Sequence, residues 1–384
     1  MMSREGKRAI SLAMCSRRRF CCWLAAGAAA LATGALSGCS FAEGARALAG
    51  TDGGGEADRA VGAEGASGAS TDNAAAALSA ADPLVATEFL FDTIITLTVY
   101  GSQAVLDEAL ERCRFFEATF SRTKEGSDVY RINAAGGARV EVAPETADVI
   151  GKALEYCEQS DGLFDITIGA VTQLWDFKEG VRPSDEALAE AVRHIDWRGV
   201  TVEGAAVQLA DPQAALDLGG IAKGYIADDL AGLLREHGVE SACINLGGNV
   251  AVLGTKPDGT PWNVGVQDPN GAAQDVIAAV ACENASVVTS GLYERQFTED
   301  GVLYYHILDP RTGYPVETDL VSTSLKTASS TDGDAMATML FLMGHDAALA
   351  YVNEDARFEG LVVEAGGAIS LTDHATFTVL EEAQ

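Results

Sequence analysis

Three groups of residues have the types and spacing needed for chemistry. Asp217-Leu-Gly-Gly-Ile-Ala-Lys223 sets a carboxylate, two positions without side chains and an ammonium group in one short turn. Such a turn lets backbone approach a phosphorylated ligand while cation and carboxylate divide its charges; an ordinary strand-to-helix connection has the same composition. Asp334 and Thr338 stand four apart, on one face of a helix, and both are hard oxygen donors. Mg²⁺ takes one or two carboxylates with backbone oxygen, water and ligand phosphate, whereas a single Asp near a helix start is also a common first-turn charge. His306 ends a strand just before the polar turn Asp309-Pro-Arg-Thr-Gly313. Its ring suits proton removal near neutrality, and a lone histidine is equally at home in a purely structural role. No His/Cys group has zinc spacing.

These groups need elements to hold them. Glu88 to Tyr100 alternates with β-branched residues and reads as a first strand. Ala104–Phe120 and Ala143–Ser160 have apolar positions at helical spacing. Thr201–Leu209 and Gln213–Asp217 read as strands around an Asp-Pro turn, and Gly224 to Gly238 as a helix closed by its last glycine. Ser241–Leu246 and Val250–Leu253 flank the tight turn Gly247-Gly248-Asn249. Further strands are expected at 262–267, 276–281, 286–289, 304–308 and 322–326, a helix at 335–343 and a closing hairpin at 361–371. Strands run together in the middle and alternate with helices at the ends, so the expected class is α+β, with a mixed β-sheet core and packed helices.

The first 38 residues read as a signal peptide. Arg4, Lys7, Arg8 and Arg17-Arg18-Arg19 precede a short apolar stretch ending in Leu36-Ser-Gly-Cys39. That ending resembles a bacterial lipobox, with Cys39 as the lipidated residue, and Ser16–Phe20 resembles a twin-arginine export signal. Residues 39–82 are Ala, Gly, Ser and acidic residues, expected to form a flexible tether with an r.m.s. span of roughly 35 Å. Residues 83–384 are then expected to form a single domain, exported and held by the lipid at the outer face of the bacterial cytoplasmic membrane. The net charge of −30 excludes non-specific hold on a phosphate backbone, so no nucleic-acid partner is expected. In so acidic a chain an anionic ligand needs a local metal or basic group. Cys113, Cys157, Cys243 and Cys282 are widely spaced and read as free thiols.

Seven segments in order make a more specific pattern. They are Phe120-Ser121…Asn133, Gly162-Leu-Phe-Asp165, Asp217 to Tyr225, Asn245-Leu-Gly-Gly248, Thr289-Ser-Gly291, His306 to Gly313, and Asp334 to Thr338. From about residue 88 to 345 the chain resembles the ApbE family, the FAD:protein FMN transferases, many of them exported lipoproteins. The resemblance implies FAD across a central cleft with its diphosphate on Mg²⁺. Asp334 and Thr338 would supply side-chain ligands and Gly220 a backbone carbonyl. Phe91, Leu163, Phe164, Asp165, Asp217, Lys223 and Leu308 would line the flavin nucleotide. The reaction implied is transfer of FMN from FAD to a Thr or Ser hydroxyl of an acceptor protein, with release of AMP; His306 is the candidate general base on the ordinary pKa of its ring. The chain departs from the family's pattern at three places. Phe91-Asp92-Thr93 stands where Met-Gly-Thr is frequent, Thr123 where an aromatic residue is frequent beside the flavin, and Ala337 where some members carry an extra acid. Alternatives remain: FAD hydrolysis to FMN and AMP, a non-catalytic flavin-binding lipoprotein, or a chain itself flavinylated within Asp332–Thr338. Gly219-Gly-Ile-Ala-Lys-Gly224 lacks the Ser/Thr and spacing of a P-loop.

Overall fold

The computed structural model describes residues 82–272 and 274–380. The signal peptide, Cys39 and nearly all of the tether lie outside the described residues. In chain order the elements begin β1 (Leu84–Leu90), β2 (Thr93–Val99), α1 (Gln103–Phe120), α2 (Asp128–Ala134), β3 (Val140–Glu141), α3 (Pro144–Gln159), α4 (Gly169–Thr172) and α5 (Asp185–Ala191). Then come β4 (Val200–Glu203), β5 (Ala206–Leu209), α6 (Ala222–Glu236), β6 (Ala242–Asn245), β7 (Asn249–Leu253), β8 (Trp262–Gln267), β9 (Val276–Cys282) and β10 (Ala285–Gly291). The chain closes with β11 (Gln296–Glu299), β12 (Val302–Tyr305), β13 (Leu320–Thr327), α7 (Ser330–Met343), α8 (His345–Asn353), β14 (Glu359–Glu364), β15 (Ile369–Leu371) and β16 (Thr378–Val379).

An eight-stranded sheet in the order β1-β2-β6-β7-β10-β13-β14-β15 organises the rest. The α+β class holds. Every pairing within this sheet is antiparallel, where a mixed sheet was expected. Three of the seven neighbouring pairs, β1–β2, β6–β7 and β14–β15, are joined by short turns, and the others by longer segments that return the chain antiparallel. The parallel contact among the described residues is one isolated bridge, Ile168 to Ala215.

Residue alternation along the strands divides the core. Val288 and Leu325 join the cluster beneath α1, α6 and α7, while Val252, Val287, Val321 and Val363 join a second cluster with Trp262, Val264 and Val280 of the β8–β9 sheet. A strand's period of two sends neighbours to opposite faces, so this sheet is covered by helices on one side and strands on the other. The four cysteines of this region are unpaired.

Two strand expectations need correction. Glu88–Tyr100 is not one strand but a hairpin, turning at Phe91 and Asp92 with φ of 56° and 57°. Residues 201–209 also form a hairpin, and 213–217 form no strand. Leu216 there is bonded at both backbone groups by the Asn133 amide, 2.7 Å to its N and 3.0 Å to its O, which takes the place of a neighbouring strand.

Candidate active site

The site forms where the start of α6 meets the start of α7. Asp228 of α6 accepts hydrogen bonds from the backbone N of Ser330 and Thr331, both at 2.9 Å, so a carboxylate caps α7 and complements its dipole. Ser330 Oγ donates to Asn249 Oδ1 at 2.8 Å, tying the same end to β7. The two helices then touch through glycine. A Cβ on Gly224 would stand 2.2 Å from Ser330 O and 2.8 Å from Asp334 Cβ, so only glycine allows this approach. The approach brings Gly224 N to Asp334 Oδ2, at 2.8 Å.

The residues of the glycine turn and of α7 assigned to metal binding are together. A Cβ on Gly220 would lie 3.5 Å from Thr338 Oγ1 and 2.8 Å from the Phe164 ring, which therefore packs directly on the turn. Thr338 Oγ1 donates to Asp334 O at 3.3 Å and is 3.4 Å from Ser290 Oγ. Asp334 is buried, and burial pushes its carboxyl above the ordinary range against the opposing influence of Lys223. Among the described residues no Lys, Arg or His nitrogen lies within ion-pair distance of it. A buried carboxylate beside a hydroxyl and a glycine backbone, without its own cation, fits Mg²⁺, which favours so sparse a protein donor set.

Lys223 projects from the first turn of α6. Its Nζ donates to Gly247 O at 3.2 Å and lies 3.9 Å from Glu294 Oε2. Gly247 in turn has Thr93 so close that a Cβ there would meet Thr93 Oγ1 at 2.2 Å, which brings the β1–β2 hairpin to the site. Phe91, at the hairpin tip, is half-buried against the main core, and its N donates to Glu117 Oε2 at 2.9 Å. Asp217 accepts from Gly219 N at 2.9 Å and Thr172 Oγ1 at 2.8 Å, and pairs with Arg122 Nε at 3.2 Å. Thr123, next to Arg122, is exposed on that same loop and 3.3 Å from Ser121 Oγ.

The remaining assigned residues are less directly placed. Both Asp165 oxygens are taken by protein donors: Oδ1 by Thr167 N and Oγ1 at 2.8 and 2.6 Å, Oδ2 by Trp197 N at 3.1 Å. Its carboxyl is raised by burial, and its evident work is to hold the loop that carries Leu163 and Phe164. Leu163 packs on the cluster of Tyr305, Ile307, Val316 and Phe341. Leu308 is buried with Val171, Trp175 and Tyr304. His306 is half-buried, its Nδ1 is enclosed without a hydrogen-bond partner, and burial pushes its pKa down to about 4. It is therefore neutral at pH 7 and able to accept a proton.

Over residues 91–362 the chain matches the model of the ApbE family. The chain belongs to the ApbE family. It is 36% identical over 300 residues to the FAD:protein FMN transferase of Treponema pallidum (strain Nichols), covering 72% of this chain and 83% of that protein. For the Klebsiella pneumoniae (strain 342) protein of the same name the identity is 34%, over 74% of this chain and 90% of the relative. The crystal structure of the ApbE protein from Thermotoga maritima superposes with a TM-score of 0.70 at 33% identity, covering 76% of this chain and 97% of that one. Pseudomonas stutzeri flavinyl transferase ApbE, in its apo form, gives 0.67 at 25% identity, covering 76% and 95%.

Sequence reasoning missed one charged residue of this ApbE site. Glu294 stands against Gly248, where a Cβ would be 2.8 Å from its Oε1, and its charge acts on Lys223, His306 and Asp334. The available signal was its place just after Thr289-Ser-Gly291, at the end of β10, in a polar stretch between two strands.

Proposed function

We infer that this chain is an FAD:protein FMN transferase, acting with Mg²⁺ on a Thr or Ser hydroxyl of an acceptor protein. The observation that carries the reading is the meeting of Gly220, Asp334 and Thr338, with Lys223 in the first turn of α6 just beyond the glycine turn. Asp334 and Thr338 side chains with the Gly220 carbonyl are the residues to hold the metal. When bound, Mg²⁺ would neutralise charge on the FAD diphosphate and on the departing phosphate.

The chain's own residues have distinct tasks. Lys223 offers positive charge to the diphosphate, and Gly219 and Gly220 leave the backbone open to it. The hydroxyl oxygen attacks the FMN-side phosphorus, the bond from that phosphorus to the bridging oxygen breaks, and AMP departs with that oxygen. The hydroxyl proton passes to neutral His306. Phosphoryl transfer of this kind asks mainly for positioning and charge neutralisation, which suits a site with one base and no nucleophile of its own. Export and lipid attachment at Cys39 complete the proposal, with the enzyme working at the outer face of the cytoplasmic membrane.

Purified protein incubated with FAD, Mg²⁺ and an acceptor bearing a flavinylation motif tests it by mass spectrometry, with AMP measured in parallel. An FMN adduct with matching AMP is expected. AMP with free FMN and no adduct means hydrolysis, and bound flavin without AMP means a carrier.

A further inference from the structure

Glu294 puts a carboxylate beside the cation that is to meet an anion. Its Oε2 lies 3.9 Å from Lys223 Nζ, and the two side chains are 28% and 20% exposed. The same ammonium donates to Gly247 O at 3.2 Å, so it has two partners before any phosphate arrives. In the bound substrate the carboxylate competes with the diphosphate for Lys223, which costs affinity.

The chain around Glu294 is pinned on both sides. Leu292 N donates to Val321 O of β13 at 3.2 Å, and Arg295 O accepts from His306 N at 3.1 Å. Between them Tyr293 folds back over Gly291, where a Cβ would stand 2.5 Å from its ring. The carboxylate rests against Gly248, which leaves room for it only because it has no side chain. One short segment therefore ties Glu294 to the central sheet and to the backbone of His306.

A group that disfavours bound substrate speeds the reaction only if it stabilises the transition state by more. His306 supplies that condition. Its ring is neutral at rest and becomes a cation on taking the hydroxyl proton. Burial opposes the cation, as do Arg295, from the same segment, and Lys223, from α6; Glu294 is the charged neighbour that favours it.

We propose that Glu294 is a positioning residue of the transfer: it restrains the Lys223 ammonium beside the Gly247 carbonyl until FAD binds, and it balances the positive charge formed when His306 takes the acceptor's proton. The proposal rests on the transferase reading and adds to it a group that acts through Lys223 and His306.

Glu294→Gln keeps the shape of the side chain and removes its charge. FAD affinity, read by fluorescence quenching without acceptor, should tighten about two- to fivefold, the scale of a partly exposed ion pair. The kcat for adduct formation should fall roughly tenfold, a fraction of the roughly 10²–10⁴ that a general base contributes. Glu294→Asp should recover part of that loss. In a Lys223→Gln protein, adding Glu294→Gln should leave FAD affinity unaltered. A merely structural role would weaken binding and lower kcat together. Weaker FAD binding by Glu294→Gln, tightening that persists without Lys223, or an unchanged kcat overturns the proposal. If the unaltered protein forms neither adduct nor AMP, the transferase reading fails instead, and the affinity measurements still decide whether Glu294 restrains Lys223.

Discussion

Replacing Gly224 by alanine should damage both stability and activity, and the same change at Gly232, two turns along α6, should not. The Gly224 Cβ would lie 2.2 Å from Ser330 O, and the obstructing atom is backbone at a capped helix start rather than a flexible side chain. Relief requires α6 and α7 to part, which lengthens the 2.8 Å bond from Gly224 N to Asp334. Overpacking costs about 1–3 kcal/mol, and a hydrogen bond to a charged group contributes about 1.5–3. Better helix propensity returns about 1 kcal/mol. The net loss is about 3 kcal/mol, a fall in Tm of roughly 5 °C for a domain of this size. At Gly232 nothing lies within 4 Å of the added atom, so only the propensity gain remains and Tm should rise slightly. Scanning calorimetry of both variants, with AMP release measured alongside, decides the matter. A Gly224→Ala protein with unchanged Tm and full activity would refute the claim that this contact assembles the site.

Other outcomes follow from single groups. Asp334→Asn keeps an oxygen for Gly224 N but loses the charge; it should fold normally and lose Mg²⁺-dependent AMP release by at least roughly 100-fold, read by titrating the metal. His306→Ala should still bind FAD, by fluorescence quenching, while transfer falls by about 10²–10⁴. Because burial holds His306 near pKa 4, its basic form persists as pH falls below neutrality. Its loss should therefore appear in kcat/KM only as pH approaches 4, not around the ordinary histidine value near 6.5. Asp92→Gly should raise Tm by a few degrees, worth about 1 kcal/mol, because Asp92 sits at φ 57° in a two-residue turn that favours glycine.

What could be seen in advance depended on locality. Asp334 and Thr338 share a helix face, and Asp217 to Lys223 share a turn, so their spacing alone states their relation. Their meeting across 110 residues, through Gly224, was implied only by family resemblance. The first hairpin was read as one strand because Phe91-Asp92 lacks the glycine or asparagine that marks such turns. Residues 213–217 look like a strand but bond to the Asn133 side chain, which no periodicity reveals. Glu294 escaped notice because its partners, Lys223 and Gly248, lie on other elements. The antiparallel order of the central sheet is likewise a long-range matter of pairing that local patterns do not state.

The most direct test soaks or co-crystallises the protein with FAD and Mg²⁺ and locates the ion. A divalent metal touching the Asp334 carboxylate, the Thr338 hydroxyl and the Gly220 carbonyl, with the FAD diphosphate as its further ligand, is the predicted result. FAD bound with its diphosphate away from these three groups would contradict it.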